Sequence, residues 1–77
     1  MNKEELLNRA KVLSNRAIHY GSCAFYFSTK IEIVITFLLT CDNSDVLCIA
    51  KIMIESVEIG INELEKNLIY RSIYNTQ

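Results

Sequence analysis

The chain has 77 residues, of which 51% are hydrophobic and 22% charged, with a formal net charge of −1 at neutral pH. This length predicts a single domain, residues 1–77, with a small core. The slightly acidic balance argues against binding of nucleic acid through bulk positive charge. Three cysteines without a paired spacing predict free thiols in a reducing compartment rather than a disulfide-built secreted domain.

Neither the start of the sequence nor its most apolar stretch predicts a leader or a membrane anchor. The sequence begins MNKEE, which is polar and charged, and no apolar core follows. The most apolar stretch, residues 31–39, is about half as long as a helix that crosses a bilayer. We therefore expect a soluble, cytoplasmic protein without a membrane partner.

A hydrophobic repeat with alternating spacings of four and three residues runs through the first half of the chain. Such a repeat averages 3.5 residues and keeps one stripe of a helix facing a partner, as in a coiled coil. It predicts one long helix over residues 2–41. The members of this first series are Leu6, Ala10, Leu13, Ala17, Tyr20, Ala24, Phe27, Ile31, Val34 and Leu38.

A second series of the same kind predicts a helix over residues 44–73. Turn and capping residues cluster between the two helices, where Asp42, Asn43 or Ser44 can cap the second helix. A connection this short makes neighbouring helices antiparallel. The members of this second series are Leu47, Ala50, Ile54, Val57, Ile61, Leu64 and Leu68.

The fold class that these features predict is all-α, an antiparallel two-helix hairpin. Leu38 would then lie opposite Leu47, and Ala17 opposite Leu68. The two glycines, Gly21 and Gly60, lie inside the repeats and do not shift the hydrophobic phase, which favours two long helices. Gly21 is the weaker point, since a glycine there could kink or split the first helix.

Charged residues outside the repeats favour pairing of the two helices. The first helix carries basic residues at one flanking position, and the second carries a group of acidic ones. The basic residues are Arg9, Arg16 and Lys30, and the acidic residues are Glu55, Glu58, Glu63 and Glu65.

Apolar residues exceed what one helix-to-helix seam can bury. Both helices are apolar nearly all round close to the turn, and such a surface must be covered. We expect a homodimer that forms a four-helix bundle, or capping of a dedicated protein partner; a chain that folds back as three helices is the remaining alternative. The predicted interface residues are Ile33, Phe37, Leu39, Ile49, Ile52, Met53 and Ile59.

No group of residues predicts catalysis, a cofactor or a metal site. His19 and Cys23 have the i, i+4 spacing of half a zinc site, but no further ligands stand at a suitable spacing. A catalytic cysteine would also need a base, an orienting group and a pocket. We therefore expect a protein that is not an enzyme and has no cofactor.

The predicted function is that of a small protein–protein interaction module, acting as an adaptor, a chaperone or an inhibitor. In class it is similar to helical co-chaperones of bacterial secretion systems and to small phage-encoded inhibitors. The alternative is a dimeric helical regulator that binds nucleic acid through Arg9, Lys11 and Arg16. Nearby Glu4 and Glu5 dilute this basic cluster, which makes nucleic acid the less expected partner.

Overall fold

The computed structural model describes the backbone of residues 2–75 and the side chains of residues 2–69. Within these residues the chain is all-helical, as predicted, and contains no strand. Helix α1 covers Lys3–His19, a short 3₁₀ turn covers Gly21–Ala24, helix α2 covers Phe25–Thr40 and helix α3 covers Ser44–Asn75. The three helices pack against each other in a rod of 52 × 19 × 15 Å.

Helix α1 begins at a side-chain cap and ends at a glycine. The Asn2 side chain accepts a hydrogen bond from the Glu5 backbone N–H at 2.8 Å, which satisfies one of the free donors of the first turn. Gly21 follows the last residues of the helix with a φ of +59°. Glycine adopts this left-handed conformation without a steric penalty, and it commonly ends helices in this way.

The long first helix expected over residues 2–41 is therefore divided into α1 and α2. The hydrophobic phase continues across Gly21, and this continuity favoured an unbroken helix. A constant phase is equally compatible with a chain that reverses, since both helices then turn the same stripe toward a common core. The described residues thus adopt the three-helix arrangement rather than the two-helix hairpin.

The connection between α2 and α3 lies in the predicted turn, and α3 spans the predicted helix at 44–73. The Asn43 side chain accepts a hydrogen bond from the Asp45 backbone N–H at 2.8 Å and caps α3. Asp42 in the same connection pairs with Lys3 at 2.7 Å, which brings the start of α1 next to this turn.

Contacts between side chains give the directions of the helices. Arg9 pairs with Glu58 at 3.9 Å, and Arg16 pairs with Glu65, so α1 and α3 advance together by seven residues and run parallel. Helix α2 runs antiparallel to α3, because Lys30 lies 3.4 Å from the Ser56 hydroxyl and Phe27 lies beside Gly60. The up-down-up order brings basic α1 residues to acidic α3 residues, whereas the antiparallel hairpin would have placed Arg9 far from Glu58.

The core consists of residues that the two hydrophobic series predicted. Four further members of the series, Tyr20, Phe27, Leu47 and Leu64, are partly buried and pack against it. Four alanines in the core let the helix backbones approach closely. The fully buried hydrophobic residues are Leu6, Ala10, Leu13, Ala17, Ala24, Ile31, Val34, Leu38, Ala50, Ile54, Val57 and Ile61.

Candidate protein-binding surface

Six of the seven predicted interface residues are exposed in the three-helix bundle. Their exposed fractions run from 46% at Ile33 to 67% at Ile52. Met53 is the exception, since it is partly buried and packs against the core. Folding back into three helices therefore covers the inner stripes of the helices and leaves this second apolar surface open. The exposed six are Ile33, Phe37, Leu39, Ile49, Ile52 and Ile59.

An apolar groove lies between α2 and α3 near the turn that connects them. It encloses a cavity of about 100 Å³. The antiparallel register places Phe37 beside Ile49, so the two helices supply one wall each. No charged residue lines the groove, and a cavity of this kind is suited to an apolar side chain of a partner. The lining residues are Val34, Phe37, Val46, Ile49, Ala50 and Met53.

The groove continues onto the outer sides of both helices. On α3, Ile52 and Ile59 stand three and ten residues after Ile49, spacings that place all three on one outer stripe. On α2, Tyr26 and Ile33 extend the wall formed by Phe37, and Tyr26 is 68% exposed. We call the whole surface the α2–α3 face and define it by Tyr26, Ile33, Phe37, Val46, Ile49, Ile52, Met53 and Ile59.

Leu39 lies apart from the α2–α3 face, although the sequence grouped it with the interface. It is 62% exposed but does not line the groove. Two residues along a helix correspond to a rotation of about 200°, so Leu39 and Phe37 project from different sides of α2.

Tyr26 and Val46 belong to the α2–α3 face but were not among the predicted interface residues. Tyr26 stands seven residues before Ile33, and Val46 stands three residues before Ile49. Both spacings return a helix to the same side. Extending the predicted stripe by seven residues in α2 and by three residues in α3 would have found both.

The α2–α3 face is large for an exposed patch. Each of its six most exposed side chains presents on the order of 100 Å² of mostly apolar surface, or roughly 600 Å² together. Monomeric proteins have largest apolar patches of about 300–600 Å². One side of a standard protein–protein interface covers about 800 Å². The face therefore lies at the upper end of the range for monomers and approaches the area of one side of a standard interface.

Lys30 is a charged side chain that lies next to the aromatic part of this face. Lys30 reaches toward Ser56 across the helix pair, and its ammonium lies 5.7 Å from the centre of the Tyr26 ring. A cation over an aromatic face is favourable, which holds the lysine alongside the apolar surface. The face is thus apolar at the groove and polar at the level of Ser56.

The proposed nucleic-acid contacts do not form one basic surface. Arg9 and Arg16 lie on the seam between α1 and α3, where each pairs with a glutamate. Arg16 also donates to the Asn62 side-chain oxygen at 2.8 Å. Lys11 is exposed and stands two residues from Arg9, which places it on another side of the helix. The charge of both arginines is compensated within the chain.

Tyr20 and Arg16 fasten the end of α1 to α3 through Glu65. The Tyr20 hydroxyl donates to Glu65 at 2.5 Å, and Arg16 donates to the other carboxylate oxygen. The Tyr20 hydrogen bond, followed by the Arg16 hydrogen bond, holds the pKa of Glu65 below its ordinary value. The same hydrogen bond is the largest cause of the raised pKa of Tyr20. The sequence predicted that basic residues of the first helix pair with acidic residues of the second. It did not indicate that Tyr20 takes part in this pairing.

The thiols and the histidine are not gathered into a site. Cys23 and Cys48 are exposed, Cys41 is half-buried, and all three are free. Gly21 separates His19 from Cys23, so they do not form the predicted i, i+4 pair on a continuous helix. Among the described residues no group of three or more potential ligands could hold a metal ion.

The segment Gly21–Thr40 is long and apolar enough to cross a membrane by length and composition, and it is the one such segment in the described part of the chain. This extends beyond the shorter stretch considered from the sequence. Core helices of soluble proteins pass the same test, but only 22% of this segment is buried. Of its exposed large apolar residues, Tyr26, Ile33 and Phe37 belong to the α2–α3 face, whereas Phe25 and Leu39 do not.

Comparison with known proteins gives no relative from which a function could be inferred. No protein-family model, curated protein or solved structure matches the chain. What the protein does is therefore inferred from the chemistry of its own surface.

Proposed function

We propose that this protein is a non-enzymatic interaction module that acts through the α2–α3 face, and that a second copy of the chain covers this face. Helices α2 and α3 of two chains then form the four-helix bundle expected from the sequence. The observation that carries the proposal is the uncharged groove between α2 and α3, flanked by exposed isoleucines and aromatic residues.

The size and chemistry of the face favour a second copy as its occupant. Roughly 600 Å² of exposed side chain per subunit approaches the 800 Å² or so that a standard interface buries on each side. A two-fold axis places the same patch on both partners, and an apolar patch satisfies itself in this arrangement. The groove lining contains no charge that would require an oppositely charged partner.

Lys30 sets the orientation within such a dimer. A two-fold axis that passes through the groove perpendicular to the helices keeps the two Lys30 side chains apart, because each stands toward the end of its own face that is far from the turn. The apolar groove is then central and the polar level of Ser56 is at the rim, as in typical interfaces. The protein is cytoplasmic in this proposal, with its apolar surface covered by protein rather than by lipid.

The experiment that tests the proposal is the absolute mass of the protein by light scattering across a concentration series. We expect a dimer. The variant Ile33→Asp with Ile49→Asp is expected to be a monomer, because both substituted residues are exposed on the face and a buried charge without a partner is costly. The matched control is Val12→Asp with Ile18→Asp, which alters two exposed apolar residues of α1 and is expected to leave the dimer intact.

Three outcomes would contradict the proposal. A monomeric wild-type protein would show that a second copy does not cover the face. An unchanged mass in the Ile33→Asp, Ile49→Asp variant, with helicity retained by circular dichroism, would place the interface elsewhere. Co-flotation of the wild type, but not of this variant, with phosphatidylcholine vesicles would assign the face to a membrane.

A further inference from the structure

The junction between α1 and α2 reverses the chain although the hydrophobic repeat passes through it unbroken. Ala17, Tyr20, Ala24 and Phe27 keep the four-three spacing of the first series. A straight helix through the junction would therefore retain one continuous apolar stripe. The sequence of α1 and α2 is compatible with two shapes, the observed reversal and a single long helix.

One residue of the reversal has a backbone conformation that favours glycine. Gly21 has the only positive φ among the described residues, and a Cβ built on it meets no atom within 4 Å. Packing would therefore tolerate a side chain at this position, and only the backbone conformation selects glycine. No side-chain hydrogen bond caps the 3₁₀ turn or the start of α2, whereas Asn2 and Asn43 cap α1 and α3.

We propose that α1 is an exchangeable element, which swings out when residues 20–24 straighten and docks on α2 and α3 of a second copy. The opened chain exposes the buried stripe of α1 and the core surface that this stripe covered. A second chain that opens in the same way exposes the same two surfaces. Each contact of the closed bundle, including the pairs Arg9–Glu58 and Arg16–Glu65, then re-forms between chains, as in domain swapping.

Helix α3 extends beyond the level of the reversal. The reversal lies at the level of Glu65, where Tyr20 and Arg16 both contact α3. Helix α3 continues to Asn75, which is about 15 Å further. A straightened α1 would extend in the same direction past the level of Glu65, with its apolar stripe available to the second copy.

This inference is independent of the α2–α3 face, because the exchanged contacts belong to α1. Its test therefore uses chains that carry Ile33→Asp and Ile49→Asp, which remove the proposed face-to-face dimer. In these chains Gly21→Ala is compared with the matched control Gly21→Asn. Alanine disfavours the left-handed conformation and favours a helix, whereas asparagine tolerates the left-handed conformation.

We expect Gly21→Ala to raise the dimer association constant at least about a hundredfold above that of Gly21→Asn, because each dimer contains two hinges. Light scattering on dilution measures this constant. Two outcomes would overturn the proposal: equal association constants, or an elongated monomer of Gly21→Ala in small-angle X-ray scattering.

Cross-linking identifies which contacts the dimer contains. One chain carries Arg9→Cys and the other Glu58→Cys, both in a background in which Cys23, Cys41 and Cys48 are replaced by serine. The two chains are unfolded together, refolded and treated with a short bismaleimide. The swap predicts cross-linked heterodimers with Gly21→Ala, and a dimer without this cross-link would overturn it. If the Gly21→Ala chains are not helical, the swap predicts the same cross-link in Gly21→Asn chains refolded at millimolar concentration. Absence of the cross-link in those chains would also overturn the proposal.

Discussion

Gly60 of α3 lies against the ring of Phe27 of α2. A Cβ built on Gly60 would stand 2.6 Å from Cζ of Phe27, which is closer than carbon atoms approach in folded proteins. This glycine therefore serves close packing between two helices, since its φ is not positive. At Gly21 the reason for glycine is different. The space around it is open, and its positive φ is what favours glycine.

We predict that Gly60→Ala destabilises the protein. The added methyl group must displace the Phe27 ring, and overpacking of this kind costs about 1–3 kcal/mol. Alanine regains about 1 kcal/mol through its helix propensity, so the net loss is smaller than the overpacking cost. Chemical denaturation measures the change in the free energy of unfolding. Combining it with Phe27→Leu should remove much of the added loss, and full additivity of the two changes would show that they do not contact each other.

Ile54 and Ile52 form a matched pair of isoleucines on α3, one buried and one exposed. Ile54 is 0% exposed and Ile52 is 67% exposed. We predict that Ile54→Ala lowers the free energy of unfolding by about 2–5 kcal/mol, whereas Ile52→Ala changes it by less than about 0.5 kcal/mol in the monomer. Urea denaturation measures both changes in chains that also carry Ile33→Asp and Ile49→Asp, so that dimerisation does not affect the comparison. Similar losses at the two positions would contradict the orientation of α3.

The hydrophobic spacing predicted which residues face inward, because the phase of a repeat determines the apolar side of a helix. It did not predict the direction of α1, since Ala17 and Ala24 keep phase whether the chain continues or reverses. The decision rests on the backbone of Gly21, for which a sequence pattern has no signal beyond the glycine itself. The pairing of Arg16 with Glu65 between parallel helices depends on that reversal, so the sequence could not predict it either.

The candidate surface was predicted more fully than the topology. Residues such as Ile49 and Ile52 were identified as surplus to the seam, and surplus apolar residues stay outside in either arrangement of the helices. Phe37 was included for the same reason. The cavity between Phe37 and Ile49 depends on the antiparallel register of α2 and α3, which the hairpin prediction contained.

Stability is expected to fall in acid through Glu65. Its pKa is lower in the folded chain than its ordinary value of 4.5, first because Tyr20 donates to it and next because Arg16 does. A carboxyl group with a lowered folded pKa stabilises the folded state above its unfolded pKa and loses this contribution as pH falls through the folded pKa. We predict that Tm decreases below about pH 4.5 and that Glu65→Gln flattens this decrease. Glu63→Gln is the control, and an equal effect of both variants would argue against the Tyr20–Glu65 contact.

The outer stripe of α3 can be tested separately from the groove. We predict that Ile52→Asp with Ile59→Asp weakens the dimer while the helices stay formed, because both residues are exposed on the α2–α3 face. Sedimentation velocity gives the dimer fraction, and circular dichroism gives the helicity. A dimer of unchanged strength would restrict the interface to the groove residues and exclude the outer stripe.

The charges of the first helix lead to a prediction about polyanions. Arg9 and Arg16 are paired with glutamates in the chain, so these two cations are less available to displace counterions from nucleic acid. We predict no band shift with a 20-mer duplex DNA or RNA at about 50 mM salt. Tight binding that weakens steeply with added salt, and that Lys11→Glu reduces, would restore the nucleic-acid alternative.

The parallel placement of α1 and α3 also has a kinetic consequence. The pair Arg9–Glu58 joins residues separated by the whole of α2, so α1 reaches α3 only after the two turns have formed, at the largest loop-closure cost in the bundle. Helical bundles nevertheless complete folding within microseconds to milliseconds. At low concentration a newly made chain therefore closes on itself before it meets another, and exchange of α1 is governed by the slow opening of the finished bundle.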